Sequence, residues 1–214
     1  MFTGIVEELG TVSTIKQSGE AMKLTIQARF ILSDVKIGDS IAVNGICLTV
    51  TSFTESHFTV DVMPETMKST SLRMLKQHSQ VNLERAMAAN GRFGGHFVTG
   101  HIDGIGTIVS KKQHYNAIYY KIKMPNHLLR YCLQKGSVAI DGTSLTIFDV
   151  ADDSITISLI PHTVSESIIG TKGAGDIVNI ECDMIGKYIE RFMSQPTKRS
   201  NSVTESFLQE NGFL

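Results

Sequence analysis

The chain has 214 residues, with 20 Lys and Arg against 21 Asp and Glu; 42% of its residues are hydrophobic and 19% charged. That is a globular balance, long enough to bury a core as one large domain or two small ones. A net charge of -1 excludes the basic field of a nucleic-acid binder, and no apolar run approaches the about 18 residues that a membrane helix needs.

The opening Met1–Gly10 lacks the basic and long apolar stretches of a signal peptide and carries Glu7 and Glu8, so a cytoplasmic protein is expected. The three cysteines, Cys47, Cys132 and Cys182, are odd in number and widely spaced. They fit free thiols, not a disulfide framework or a CxxC metal pair. Leu24–Ala28 alternates apolar and polar residues, as a half-buried strand does. Asn44-Gly45 follows between two apolar runs and supplies the positive φ angles of a type I′ hairpin. Phe58–Val62 alternates again, and a short helical piece is expected near Glu65–Lys76, after Pro64. A Gly-rich join lies at 91–95.

Beyond the join the chain restates itself. Thr3–Val12 matches Thr99–Ile108 at four of ten positions, and Ser40–Val50 matches Ser137–Ile147 at five of eleven. Val60–Thr66 pairs with Ile157–Thr163, and Val81–Glu84 with Val178–Glu181. The offset is 96 in the first block and 97 in the others. A unit of this length is a small domain, not a solenoid repeat. Its short strands and turn signals predict a small closed barrel. The second copy repeats the hairpin at Asp141-Gly142, the alternation at Ser154–Leu159 and a helical piece at His162–Thr171. Two barrels, 1–96 and 97–185, are followed by 186–214. There Ile185, Tyr188, Ile189, Phe192 and Met193 share one face at helical spacing, either to pack on a barrel or to assemble subunits. Residues 194–214 read as polar and irregular.

The copies keep their backbone-setting residues and change their reactive ones. Ile5 becomes His101, Cys47 becomes Ser144, Asp61 becomes Ser158 and Glu65 becomes His162. This fits one kind of ligand held in two roles, and it equally fits neutral drift. Cys47 between Ile46 and Leu48 is by default an inert strand thiol, and Ser144 a strand hydroxyl outside any G-x-S-x-G elbow. His96 and His101, five apart, fall on opposite faces if that segment is a strand, a poor arrangement for a metal. The glycines at 100, 104 and 106 lack the Gly-Lys-Ser/Thr of a phosphate loop.

Several segments resemble the riboflavin synthase family, α-chain type, a group of lumazine-binding barrels. They are Met1–Glu7, Asn44–Thr49, Gly94–Asp103, Asp141–Thr146 and Asp183–Tyr188. The resemblance spans about residues 1–193. It implies an all-β fold of two six-stranded Greek-key barrels in tandem with a C-terminal helix that makes a homotrimer. It implies a transferase that dismutates two 6,7-dimethyl-8-ribityllumazine molecules by four-carbon transfer, giving riboflavin and 5-amino-6-(ribitylamino)pyrimidinedione. No metal or organic cofactor is implied, and association with lumazine synthase stays open. Mapped by motif, the N-barrel pocket would take Gly4, Ile5, Val6, Cys47, Leu48 and Thr49, with Asp61, Val62, Met63, Pro64, Glu65 and Thr66. The C-barrel pocket would take Gly100, His101, Ile102, Ser144, Leu145 and Thr146, with Ser158, Leu159, Ile160, Pro161, His162 and Thr163. Lys135 would reach a ligand in a neighbouring subunit, and Phe2 would pack near the rings. Cys47, Ser144 and His101 are the expected chemical groups. A ligand carrier of the same family is the nearest rival; a flavoprotein reductase would need a nicotinamide domain that the sequence lacks.

Overall fold

The computed structural model describes residues 1–19, 21–194 and 205–213. The first half forms β1 (Glu8–Ser18), β2 (Ala21–Gln27), β3 (Ser40–Val43), β4 (Ile46–Phe53), β5 (His57–Val62) and β6 (Gln80–Arg85). The second half forms β7 (Gly104–His114), β8 (Ala117–Lys123), β9 (Ser137–Ile140), β10 (Thr143–Val150), β11 (Ser154–Leu159) and β12 (Ile177–Cys182). Each set closes into an antiparallel barrel. The first runs β1-β2-β5-β4-β3-β6, and the second has the same order, β7-β8-β11-β10-β9-β12. Closure leaves no exposed sheet edge, which suits such short strands.

Local chemistry explains the match. Asn44 and Gly45 have φ of 48° and 80°, Asp141 and Gly142 45° and 79°, so both form the left-handed pair of a type I′ hairpin. Register shifts between Val50 and Ser52 and between Ile147 and Asp149 bend β4 and β10 at equivalent places. The expected helical pieces are α1 (Pro64–Ser69) and α3 (Pro161–Ser165), each with proline in its first turn and each followed by a 3-10 turn, Ser71–Met74 or Ile168–Thr171. A further short helix, α2 (Asn126–Leu129), lies between β8 and β9.

Each barrel has its own core. Leu24, Ile26, Ile41, Phe58 and Leu83 are fully buried in the first; Ile108, Tyr120, Ile122, Ile140 and Ile180 in the second. A third cluster, Phe2, Ala42, Val98 and Ala139, sits at the seam between the barrels. Phe2 and Val98, equivalent by the repeat, pair as an antiparallel bridge. The hairpin tips meet there too: a Cβ on Gly45 would lie 2.6 Å from the Gly142 nitrogen.

A buried network ties the halves together. Asn82 Nδ2 donates to the Asp141 carbonyl at 2.8 Å, and Asn179 Nδ2 donates to the Asn44 carbonyl at 2.9 Å. The amide oxygens accept in turn: Asn82 from Ile168 N–H, Asn179 from Ser71 N–H. In a low-dielectric seam each such bond is costly to leave unmade, so the network specifies one docking geometry.

Met1–Met184 and Ile185–Leu214 are two compact units. The second contains α4 (Met184–Met193), of 10 residues, which begins on the last residue of the first unit and bears exposed Ile185, Tyr188, Ile189, Phe192 and Met193. The Tyr188 and Phe192 rings stack with centroids 6.4 Å apart. Of the tail read as irregular, 195–204 and 214 lie outside the described residues. Glu205–Glu210 departs from that reading and forms α5, with Glu205 at the positive end of the helix.

Candidate active site

Two buried glutamates set the frame. The Glu84 carboxylate accepts from Thr3 N–H at 2.6 Å, Thr3 Oγ1 at 2.8 Å and Gly4 N–H at 3.0 Å. Glu181 repeats this with Thr99 N–H, Thr99 Oγ1 and Gly100 N–H at 2.6, 2.7 and 3.0 Å. Burial pushes the Glu84 carboxyl above the usual range, and the bonds from Thr3 oppose that.

The fastened segments cross to the opposite barrel. Ser144 N–H donates to the Gly4 carbonyl at 2.7 Å, and Cys47 N–H donates to the Gly100 carbonyl at 2.9 Å. Gly4 and Gly100 have φ of 77° and 81°. A Cβ on Gly4 would lie 2.6 Å from the Ser144 Cβ, and one on Gly100 2.5 Å from the Cys47 Cβ. Only glycine combines that backbone with that approach. The motif mapping grouped Gly4, Ile5 and Val6 with Cys47; the structure places Gly4 against Ser144 of the other barrel. Likewise it places Gly100 against Cys47, and Ile102 packs on the first barrel's core.

Strand alternation divides the remaining candidates. Leu48, Val62, Leu145 and Leu159 are buried in the barrel cores, so they can meet a ligand only through their backbones. Cys47 and Ser144 are half-buried, and Thr49 and Thr146 exposed, on the outer faces of β4 and β10. At the ends of β5 and β11, Met63 and Ile160 are exposed at equivalent places, followed by Pro64, Glu65 and Thr66 in one copy and Pro161, His162 and Thr163 in the other. Asp61 is exposed and pairs with Lys23 at 3.4 Å, and Glu65 pairs with Lys68 at 3.7 Å. Ser158 is half-buried on β11. Phe2 is fully buried in the seam, and Cys47 packs against its cluster.

His96, which lies inside the Gly94–Asp103 motif but not among the expected chemical groups, is the residue that the structure adds. The segment holding His96 and His101 is not a regular strand, so the alternation argument does not apply. Instead His96 N–H donates to the Thr3 carbonyl at 3.1 Å, while Phe2 and Val98 exchange hydrogen bonds beside it. This brings His96 Nδ1 to 2.7 Å from Ser144 Oγ. The imidazole is only 7% exposed, and its Nε2 has no hydrogen-bond partner among the described residues. Burial pulls its pKa below the usual imidazole value, against the raising effect of the Asp183 charge. A neutral ring paired with a hydroxyl is the arrangement of a general base. The one sequence signal was Gly94-Gly95: a Cβ on Gly95 would come within 3.0 Å of Ser144 Oγ, so glycine there lets the chain pass close. His101 is exposed; its N–H donates to Thr99 Oγ1 at 3.2 Å.

A cavity of about 680 Å³ opens beside Ile5, between Glu7, Ser40, Arg85 and the 86–94 stretch. Its volume suits a small heterocycle. Arg85 there is held by Glu7 at 2.6 Å and Asp34 at 2.7 Å. Among the described residues no group of three His, Cys, Asp or Glu side chains is placed to hold a metal.

The family model described as the lumazine binding domain matches residues 3–86 and again 99–183, once per barrel. The chain is 59% identical to riboflavin synthase of Bacillus subtilis (strain 168) and 53% identical to that of Actinobacillus pleuropneumoniae, over the whole of each chain. Among solved structures it is similar to LumP complexed with riboflavin, with TM-score 0.78 and 29% identity over 85% of this chain and 99% of that one. LumP complexed with 6,7-dimethyl-8-(1'-D-ribityl) lumazine matches with TM-score 0.77, 28% identity and the same coverage.

Proposed function

We propose, for a chain that belongs to the lumazine-binding domain family over both of its barrels, that it is a riboflavin synthase. This transferase dismutates two 6,7-dimethyl-8-ribityllumazine molecules by four-carbon transfer, yielding riboflavin and 5-amino-6-(ribitylamino)pyrimidinedione. Full-length identity of 53–59% to riboflavin synthases supports the activity.

The carrying observation for the mechanism is the crossed pair of outer faces, Gly4 on Ser144 and Gly100 on Cys47. A reaction between two identical molecules is served by two similar sites with different reactive groups. The lumazine 7-methyl is already acidic, because its anion delocalises into the ring. Holding two flat heterocycles together removes translational freedom and contributes up to about 7–11 kcal/mol. Backbone groups at Gly4, Ile5 and Thr146, and at Gly100, Ile102 and Thr49, read the pyrimidinedione edges. Met63 to Thr66 and Ile160 to Thr163 face the ribityl chains. Ser144, with neutral His96, forms the proton-transfer pair of one site. Cys47 with His101 serves the other, each pair adding about 10²–10⁴-fold.

A stack of twin ligands needs both faces brought together, and within one chain they belong to separate Gly–strand crossings. The reading therefore includes a cytoplasmic homotrimer whose sites form between the first barrel of one subunit and the second barrel of a neighbour. The exposed apolar face of α4 supports this, because so short a helix is marginal without a partner surface. Deleting 186–214 is expected to give a monomer of lost or weak activity by gel filtration; a truncated trimer would remove α4 from assembly. The activity is tested by mixing protein with the lumazine and following riboflavin fluorescence. Bound but unconverted lumazine would make the protein a carrier, as the LumP complexes would suggest.

A further inference from the structure

The two barrels differ sharply at one turn. Gly38 and Lys135 occupy equivalent positions: Gly38 N–H donates to the Val50 carbonyl at 2.9 Å, and Lys135 N–H to the Ile147 carbonyl at 2.8 Å. Both have left-handed backbone, φ 94° and 67°. Glycine adopts that conformation freely and lysine does so against steric resistance. Lysine thus holds a costly backbone conformation where the twin copy has glycine.

The surroundings of that side chain also exist in one copy only. Lys135 Nζ lies over the Phe148 ring, 5.2 Å from its centroid. Gln134 Nε2 donates to the Phe148 carbonyl at 3.2 Å, so neighbouring turn residues clasp the same position. Phe148 is braced edge-on by Tyr119 at 5.2 Å, and Tyr119 by His114 at 6.2 Å. By the repeat register the first barrel has Thr51 and Lys23 where the second has Phe148 and Tyr119. Phe148 is 42% exposed, far above what a core role needs. It continues the outward row Ser144, Thr146, Phe148 on β10.

We infer that Phe148 is a positioning residue: its ring, braced by Tyr119, aims the Lys135 ammonium at the lumazine. The inference rests on the role that the resemblance implies for Lys135, contact with a ligand in a neighbouring subunit. A cation over an aromatic face loses rotamer freedom without losing its charge, so Lys135 reaches the ligand preorganised. Its charge suits the deprotonated lumazine, whose negative charge spreads over the ring.

The test compares variants of the full chain by KM and kcat for the lumazine, with thermal melting as the folding control. Lys135→Ala is expected to raise KM about tenfold or more, the size of a lost charged hydrogen bond. Phe148→Leu should raise KM about two- to fivefold with the melting temperature kept, and Phe148→Trp should restore it. In the Lys135→Ala background Phe148→Leu should add nothing. A Lys135→Ala enzyme with unchanged KM overturns the ligand role itself. A normal Phe148→Leu enzyme beside an impaired Lys135→Ala enzyme overturns the positioning alone. A Phe148→Leu defect that Phe148→Trp does not rescue, or that persists without Lys135, assigns Phe148 a purely structural part and overturns it equally.

Discussion

The two barrels share a frame and differ in what they mount on it. Glu84 and Glu181 grip their Thr-Gly segments with bond lengths that agree within 0.1 Å. Asn82 and Asn179 cross the seam in the same way. Around this frame the chemistry diverges. Ser144 has a buried histidine at 2.7 Å, whereas Cys47 packs on apolar residues. The hairpin residue is neutral Asn44 in one copy, with Leu75 in the place of Lys172. In the other it is Asp141, fully buried and held by Lys172 Nζ at 2.6 Å. A duplicated fold can thus conserve a hydrogen-bonded skeleton built from a few buried side chains and vary the groups mounted around it.

Breaking the reactive asymmetry should have the largest effect. Ser144→Ala and His96→Gln are each expected to lower kcat by about 10²–10⁴-fold, and nearly equally if they act as one unit. Cys47→Ser should lower kcat more than it weakens lumazine binding, and unchanged rates would make the thiol structural. Steady-state kinetics beside ligand titration separates these outcomes.

Next in size is the buried ion pair. Lys172→Met strands the Asp141 carboxylate and should cost about 3–5 kcal/mol in denaturant unfolding. Combining it as Asp141→Asn with Lys172→Leu copies the first barrel and should return most of that stability, to within about 1 kcal/mol of the parent. A double variant as unstable as the single one would show that the two hairpins are not interchangeable.

Third, Glu84→Gln and Glu181→Gln each replace an accepting oxygen with an amide facing a buried N–H. Each should destabilise by about 1–3 kcal/mol and by similar amounts. Unequal losses would mean that the two grips differ in strain despite their matching lengths.

The smallest effect is a pH dependence confined to the Ser144 site. The folded pKa of His96 is lowered, so the unfolded chain binds its proton more readily. Its contribution is complete above about pH 6.5, the ordinary imidazole value, and is lost as pH falls through the lowered folded value. Stability should therefore decline below about pH 6.5 in the parent and decline less in His96→Gln. Equal slopes in melting experiments would show that His96 is not buried as a neutral ring.

Most of the fold was legible. The offset of 97 residues, the Asn44-Gly45 and Asp141-Gly142 turns and the period-two alternation are local signals, and local chemistry sets hairpins and strands. The resemblance likewise named residues that do lie on the two outer faces, among them Cys47, Thr49, Ser144 and Thr146. What stayed hidden was which segment faces which strand. Gly4 and Ser144 are 140 positions apart, and Cys47 and Gly100 are 53, so no periodicity relates them. His96 was unreadable for a related reason: it precedes the second repeat unit and has no twin residue with which to compare it.

Sequence by itself thus determined that there are two copies, what each copy folds into, and which reactive side chains each copy carries. The pairing of each copy's leading segment with the other copy's strand was decided only in three dimensions. A barrel closes through contacts within its own repeat, whereas the crossing depends on Phe2, Val98 and the two glycines meeting across a buried seam. That seam is defined only once both barrels exist and their apolar ends have come together.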